Sequence, residues 1–144
     1  MKRLVEYVAD RYEGRLVEVG VGDRFDVALA LSDRGFEVVC TDLAPPDEPH
    51  GGDSGGEPGG GDGGLDSVDL VVDDVLDPDP GVYEGASLVY SLRSPPELHR
   101  ALADVAETAG ADLLLVPLGG EASPLEYELV NHEGLAIYLV RAED

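Results

Sequence analysis

The chain has 144 residues, of which 31 are acidic and nine basic, giving a net charge of −22. That length suits one domain, and 43% apolar residues can supply an ordinary core without a disulfide or metal staple. One cysteine, Cys40, excludes an internal disulfide and a cysteine-rich metal site. The acidity reads as a solvated surface of the kind found in salt-adapted proteomes, where molar salt screens self-repulsion. Clustered Lys/Arg is missing, which argues against nucleic acid as an electrostatic partner. No apolar run reaches about 18 residues and the N-terminus lacks a signal-peptide pattern, so the expected location is cytoplasmic.

Leu4, Val5, Val8, Ala9 and Tyr12 recur at helical spacing and predict a helix over Lys2 to Tyr12, stopped by Gly14. Arg15 to Val19 predicts the first strand. Asp23 is a plausible N-cap for a second helix with Phe25, Ala28, Leu29 and Ser32 inward and Gly35 at its end. Phe36 to Cys40 is a continuous apolar run, as in strands buried on both faces. Gly51 to Gly64 holds nine glycines in 14 residues. It predicts a flexible, acidic loop over about 44–66 with no core of its own. Val68 to Val72 and Ala86 to Tyr90 are the next strands. Pro95 and Pro96 open a helix whose inward stripe is Leu98, Leu102, Val105 and Ala109, closed by Gly110. Asp112 to Val116, Tyr127 to Val130 and Leu135 to Val140 complete the strands, with a hairpin turn over Asn131–Gly134. The alternation predicts one α/β domain over 1–144. Its fold is Rossmann-like: a mostly parallel sheet with helices on both faces and an antiparallel C-terminal edge hairpin.

The chemistry concentrates at Glu18-Val19-Gly20-Val21-Gly22, where the first strand meets the second helix. Glycine there lets the backbone turn tightly, and the helix offers free N–H groups. Asp42 ends the second strand, 22 residues after Gly20, where an acid in a Rossmann-like sheet binds ribose hydroxyls. The dinucleotide fingerprint needs a third glycine three residues after Gly22, and that residue is Phe25, which weakens NAD or FAD. An acid two residues before a two-glycine turn resembles motif I of class I S-adenosylmethionine-dependent methyltransferases. Glu18 also suits a cofactor that carries an α-ammonium and no phosphate.

That resemblance implies further roles. Asp74, with Asp73 as the alternate, would hold the adenine amine, and Val75 would lie beside the ring. Tyr90 and Arg93, near the end of the fourth strand, would face the acceptor. Amino-methylating enzymes often carry Asp/Asn-Pro-Pro-aromatic at that place. Ser94-Pro95-Pro96-Glu97 departs from it at both ends, so that activity does not follow. His50, His99 and His132 lack metal-ligand spacing and read as surface residues, so no metal is expected.

The whole chain resembles the archaeal uncharacterised protein family 0146. The resemblance rests on Arg15–Gly22, Thr41-Asp42, Val72-Asp73-Asp74-Val75, Tyr83-Glu84-Gly85-Ala86 and Tyr90–Arg93 with Pro95–Leu98. It implies a short methyltransferase-like fold and an archaeal source without assigning a reaction. The expected function is therefore a small S-adenosylmethionine-binding methyltransferase of unknown acceptor. The alternatives are a non-catalytic nucleotide-binding or regulatory module and, third, an NAD(P)-binding reductase-type domain.

Overall fold

The computed structural model of the chain describes residues 2–21, 24–43, 68–92, 94–116 and 123–142. Four α-helices and seven strands follow in chain order. They are α1 (Lys2–Arg11), β1 (Arg15–Val19), α2 (Asp26–Asp33), β2 (Glu37–Asp42), β3 (Val68–Val72), α3 (Pro80–Tyr83), β4 (Ala86–Ser91), α4 (His99–Ala109), β5 (Asp112–Leu115), β6 (Glu128–His132) and β7 (Leu135–Val140). A 3₁₀ turn over Pro96–Leu98 leads into α4. The expected flexible loop at about 44–66 lies outside the described residues.

The strands form one sheet in the order β3-β2-β1-β4-β5-β7-β6. The first five are parallel, and β7 enters antiparallel between β5 and β6. The order reverses beside β1, whose neighbours are β2 and β4, and the carboxyl ends of the strands at such a switch point are where open α/β sheets bind ligands. Period-two alternation sorts the core onto two faces. Leu16, Val38, Cys40, Leu88 and Leu114 pack under α1 and α2, while Val17, Val39, Val89, Leu113 and Leu115 pack under α3 and α4. No helix of the described residues is long and apolar enough to cross a membrane.

The structure shifts several expected boundaries. α2 starts at Asp26 with Phe25 as its cap residue, while Asp23 lies outside the described residues. Its buried face is Val27, Ala28 and Leu31, because the later start rotates the inward stripe; Phe25 and Leu29 pack only partly and Ser32 is half-buried. β2 runs on to Asp42 because the ladder continues, with Asp42 opposite Val72. The hairpin reverses through two residues, not four. Glu133 (φ 53°) and Gly134 (φ 88°) both take left-handed values, the geometry that matches the twist of flanking strands. The Asn131 side chain accepts the Gly134 N–H at 3.0 Å. α3 was not expected, yet its signal is local: Asp79 caps it, accepting the Gly81 N–H at 3.0 Å, and Pro80 occupies its first turn.

Candidate functional site

The turn after β1 is set by Gly20, whose φ of +74° penalises any residue with a Cβ. Its N–H donates to the Thr41 carbonyl at 2.8 Å, and the Val21 N–H donates to the same oxygen at 3.1 Å. The end of β1 is thereby pinned to the end of β2, one residue before Asp42. Gly20 itself is exposed. A Cβ built on it would meet only Ser94 Oγ, at 3.7 Å, so no described side chain crowds the turn itself.

On its other side the glycine turn is flanked by the end of β4. The buried Ser91 hydroxyl donates to the Val19 carbonyl at 3.0 Å. With its proton committed there, Ser91 Oγ accepts from the Ser94 hydroxyl, and the two oxygens are in close contact. These serines tie β4 to the glycine turn. The sequence places Ser94 at the head of Ser94-Pro95-Pro96-Glu97 but assigns neither serine a role, because a single serine carries no spacing signal.

Glu18 lies beneath the rim, not on it. It is 2% exposed and sits in register with Cys40 on β2 and Tyr90 on β4, on the α1/α2 face. Its charge is felt by both neighbours. Burial pushes the Tyr90 phenol and the Cys40 thiol well above their ordinary ranges, and the Glu18 carboxylate adds to each shift. Tyr90 is wholly buried in this layer. Its ring fills core beside Glu18 instead of lying where an acceptor could reach it. Arg93 and Gly22 lie outside the described residues.

Asp42 is half-buried at the end of β2, and one of its oxygens accepts the Leu43 N–H at 2.7 Å. One strand further, the pair Asp73-Asp74 divides its work. Asp73 is committed on both oxygens: Oδ1 accepts the Asp79 N–H at 3.0 Å and Oδ2 the Tyr83 hydroxyl at 3.3 Å. Burial first, and then the Asp73 charge, push that phenol above its ordinary range. Asp74 Oδ1 accepts the Leu76 N–H at 2.9 Å, while Oδ2 accepts nothing from a described residue. Gly20 and Asp42 thus meet at one rim, Glu18 supports it from below, and Asp74 flanks it two residues past β3.

Val75 is buried on the α3/α4 face and lines a separate cavity of about 780 Å³. That cavity runs between α3 and α4 past Tyr83, Ala101 and Val105, because the single turn of α3 leaves the flank of α4 uncovered. Glu18, Gly20 and Asp42 do not line it. His99 is no surface residue either. It is 5% exposed at the start of α4, with Nδ1 within 2.8 Å of Ser123 Oγ.

Solved structures share this architecture. A candidate S-adenosyl-L-methionine-dependent methyltransferase of Methanococcus maripaludis superposes with a TM-score of 0.63 at 11% identity, over 99% of this chain and 84% of that one. An RNA methyltransferase from Salinibacter ruber, solved with S-adenosyl-L-homocysteine, gives 0.60 at 19% identity, over 100% and 94%. At such identities the likeness establishes a Rossmann-like, methyltransferase-type fold. Sequence relatives are closer. An Archaeoglobus fulgidus protein is 40% identical over 144 residues, covering 100% of this chain and 97% of its own. A Halobacterium salinarum protein is 46% identical over 107 residues, 74% of this chain and 70% of its own. Both carry the name UPF0146 protein. The model of the Uncharacterised protein family (UPF0146) matches residues 1–142, and the chain belongs to that archaeal family.

Proposed function

We propose that this chain binds S-adenosylmethionine at the rim between β1 and β2 and passes its methyl group to an acceptor. The observation that carries the reading is the open, left-handed turn at Gly20, bonded to the residue before Asp42 and walled by Ser91 and Ser94. Asp42 would accept from the two ribose hydroxyls. Gly20, and Gly22 from sequence, would let the backbone approach the methionine end. Glu18 would act from below through its charge, favouring an α-ammonium and disfavouring the pyrophosphate of a dinucleotide. Asp74 would offer Oδ2 to the adenine amine, with Val75 behind it; Asp73 is committed to its own turn. From sequence, Arg93 would meet the acceptor.

The fit is steric and electrostatic: within 4 Å a Cβ at Gly20 would meet only Ser94 Oγ, in ordinary contact at 3.7 Å, and the nearby carboxylates are negative. The cofactor would supply a methyl already activated by a sulfonium. The protein's task is then to bind, align and exclude water, and alignment alone is worth roughly 7–11 kcal/mol for well-oriented partners. Acids at −22 net charge repel one another at low salt, so the fold is expected to bind best in molar KCl.

Calorimetry with S-adenosylhomocysteine and with NADH in molar KCl tests the reading. Binding of the first alone is expected. Binding of neither would favour a module that kept the fold without the cofactor, and binding of NADH alone would favour the reductase reading.

A further inference from the structure

We infer that Glu6, His132 and Glu133 form a structural site for a divalent zinc-type cation, joining the middle of α1 to the β6–β7 hairpin. One ligand atom from each residue lies within 4.8 Å of the others. Three points so placed have a common centre no more than about 2.8 Å from each, and Zn–N and Zn–O bonds are about 2.0–2.2 Å. Each donor therefore needs to move inward by at most about 0.8 Å, which side-chain rotation of two glutamates supplies.

The histidine makes this more than a cluster of acids. The Nε2 of His132 is buried and has no hydrogen-bond partner, a state that costs free energy unless something satisfies it. The Tyr7 ring packs edge-on against the imidazole at 5.4 Å and holds it toward α1. The left-handed turn at Glu133 brings the second carboxylate back over the strand end. Arg3 donates to the Glu133 carbonyl at 2.6 Å and forms no ion pair with either glutamate among the described residues, so the carboxylates keep their charge for a cation. The chain carries 31 acids, yet among the described residues this is the one group of three or more potential ligands close enough to hold an ion. Linear spacing hides it, because Glu6 lies 126 residues before His132.

One imidazole and two carboxylates suit zinc, with water completing four-fold coordination, better than the all-oxygen shells of calcium or magnesium. The site lies four strand spacings from β1, about 19 Å across the sheet, too far to touch a methyl group at the Gly20 rim. Its role is to fasten the edge hairpin to α1, and it stands or falls independently of the cofactor reading.

Zinc titration of the EDTA-stripped full chain in molar KCl tests the site, read by calorimetry and by melting temperature. One zinc per chain is expected, with a dissociation constant below about 10 μM and a melting temperature raised by several degrees. Glu6→Gln and His132→Gln should each weaken binding at least tenfold. Glu6 is half-buried at the helix surface, so its amide variant reports on the metal even if His132→Gln disturbs the packing on Tyr7. Zinc binding weaker than 100 μM would overturn the assignment. So would binding that survives both substitutions, or calcium displacing zinc at equal concentration.

Discussion

At the end of β1 the chain turns through Gly20, and at the end of β3 it turns through Asp73 to Asp79. Both turns sit on the carboxyl edge of one sheet, and both follow or contain acids. In the first, the acid is beneath the turn, and the turn's N–H groups bond to the neighbouring strand, so the outer surface stays open. In the second, the carboxylates are spent on the chain itself: Asp73 binds Asp79 and Tyr83, and Asp74 binds Leu76. The difference teaches that an acid at a strand end marks a ligand site only if its oxygens are not already accepting from its own loop. By that criterion the second oxygen of Asp74 remains a candidate and Asp73 does not, while Asp42 already takes the Leu43 N–H on one oxygen and would have to share its carboxylate with a ligand.

The largest effect expected from breaking this comparison is alkaline. Cys40, Tyr90 and Tyr83 all have folded values raised above their ordinary 9.0, 10.0 and 10.0. The folded state then binds its protons more tightly than the unfolded state. Stability is complete below about pH 9 and falls as pH rises past each ordinary value, by about 1.4 kcal/mol per group per pH unit. Unfolding free energies from urea melts at pH 8 and pH 11 should therefore differ by several kcal/mol. Glu18→Gln should relieve the Cys40 and Tyr90 shifts in part and leave Tyr83, on the other turn, unchanged.

Next in size is Asp42→Ala. Losing charge-assisted hydrogen bonds to a ribose costs about 2–3 kcal/mol, which is a roughly 30- to 150-fold loss of S-adenosylhomocysteine affinity by calorimetry. Gly20→Ala is smaller, since the new Cβ would make only an ordinary contact at 3.7 Å. Its cost is conformational, about 1–2 kcal/mol in urea unfolding. Asp73→Ala is smaller still, about 1 kcal/mol of stability from the bonds to Asp79 and Tyr83. It should leave cofactor affinity within twofold, and a tenfold loss would erase the distinction between the two turns.

Much of this is legible in the sequence. The sequence marks the limits of β1 and β3, because short apolar runs bounded by glycine, aspartate or serine leave little choice of register. The parallel sheet with a final antiparallel pair followed from the alternation of elements. The face of α2 was misread because its stripe depends on where the helix starts, and Phe25 falls at the cap. α3 escaped notice because four residues carry no periodicity. His99 looked like a surface residue, but it faces inward from the first turn of α4 and meets Ser123, a partner 24 residues away. Tyr90 shows a different limit. Its place at the end of β4 was plain, but which way it pointed depended on the parity of the strand against Glu18.

Locating the nucleoside tests the central claim most directly. Backbone amide shifts followed by NMR during titration with S-adenosylhomocysteine should cluster at Val19–Val21 and Thr41–Leu43, with smaller changes at Asp74. Shifts confined to Tyr83, Ala101 and Val105 would place the ligand in the cavity between α3 and α4 and contradict a site at the Gly20 rim.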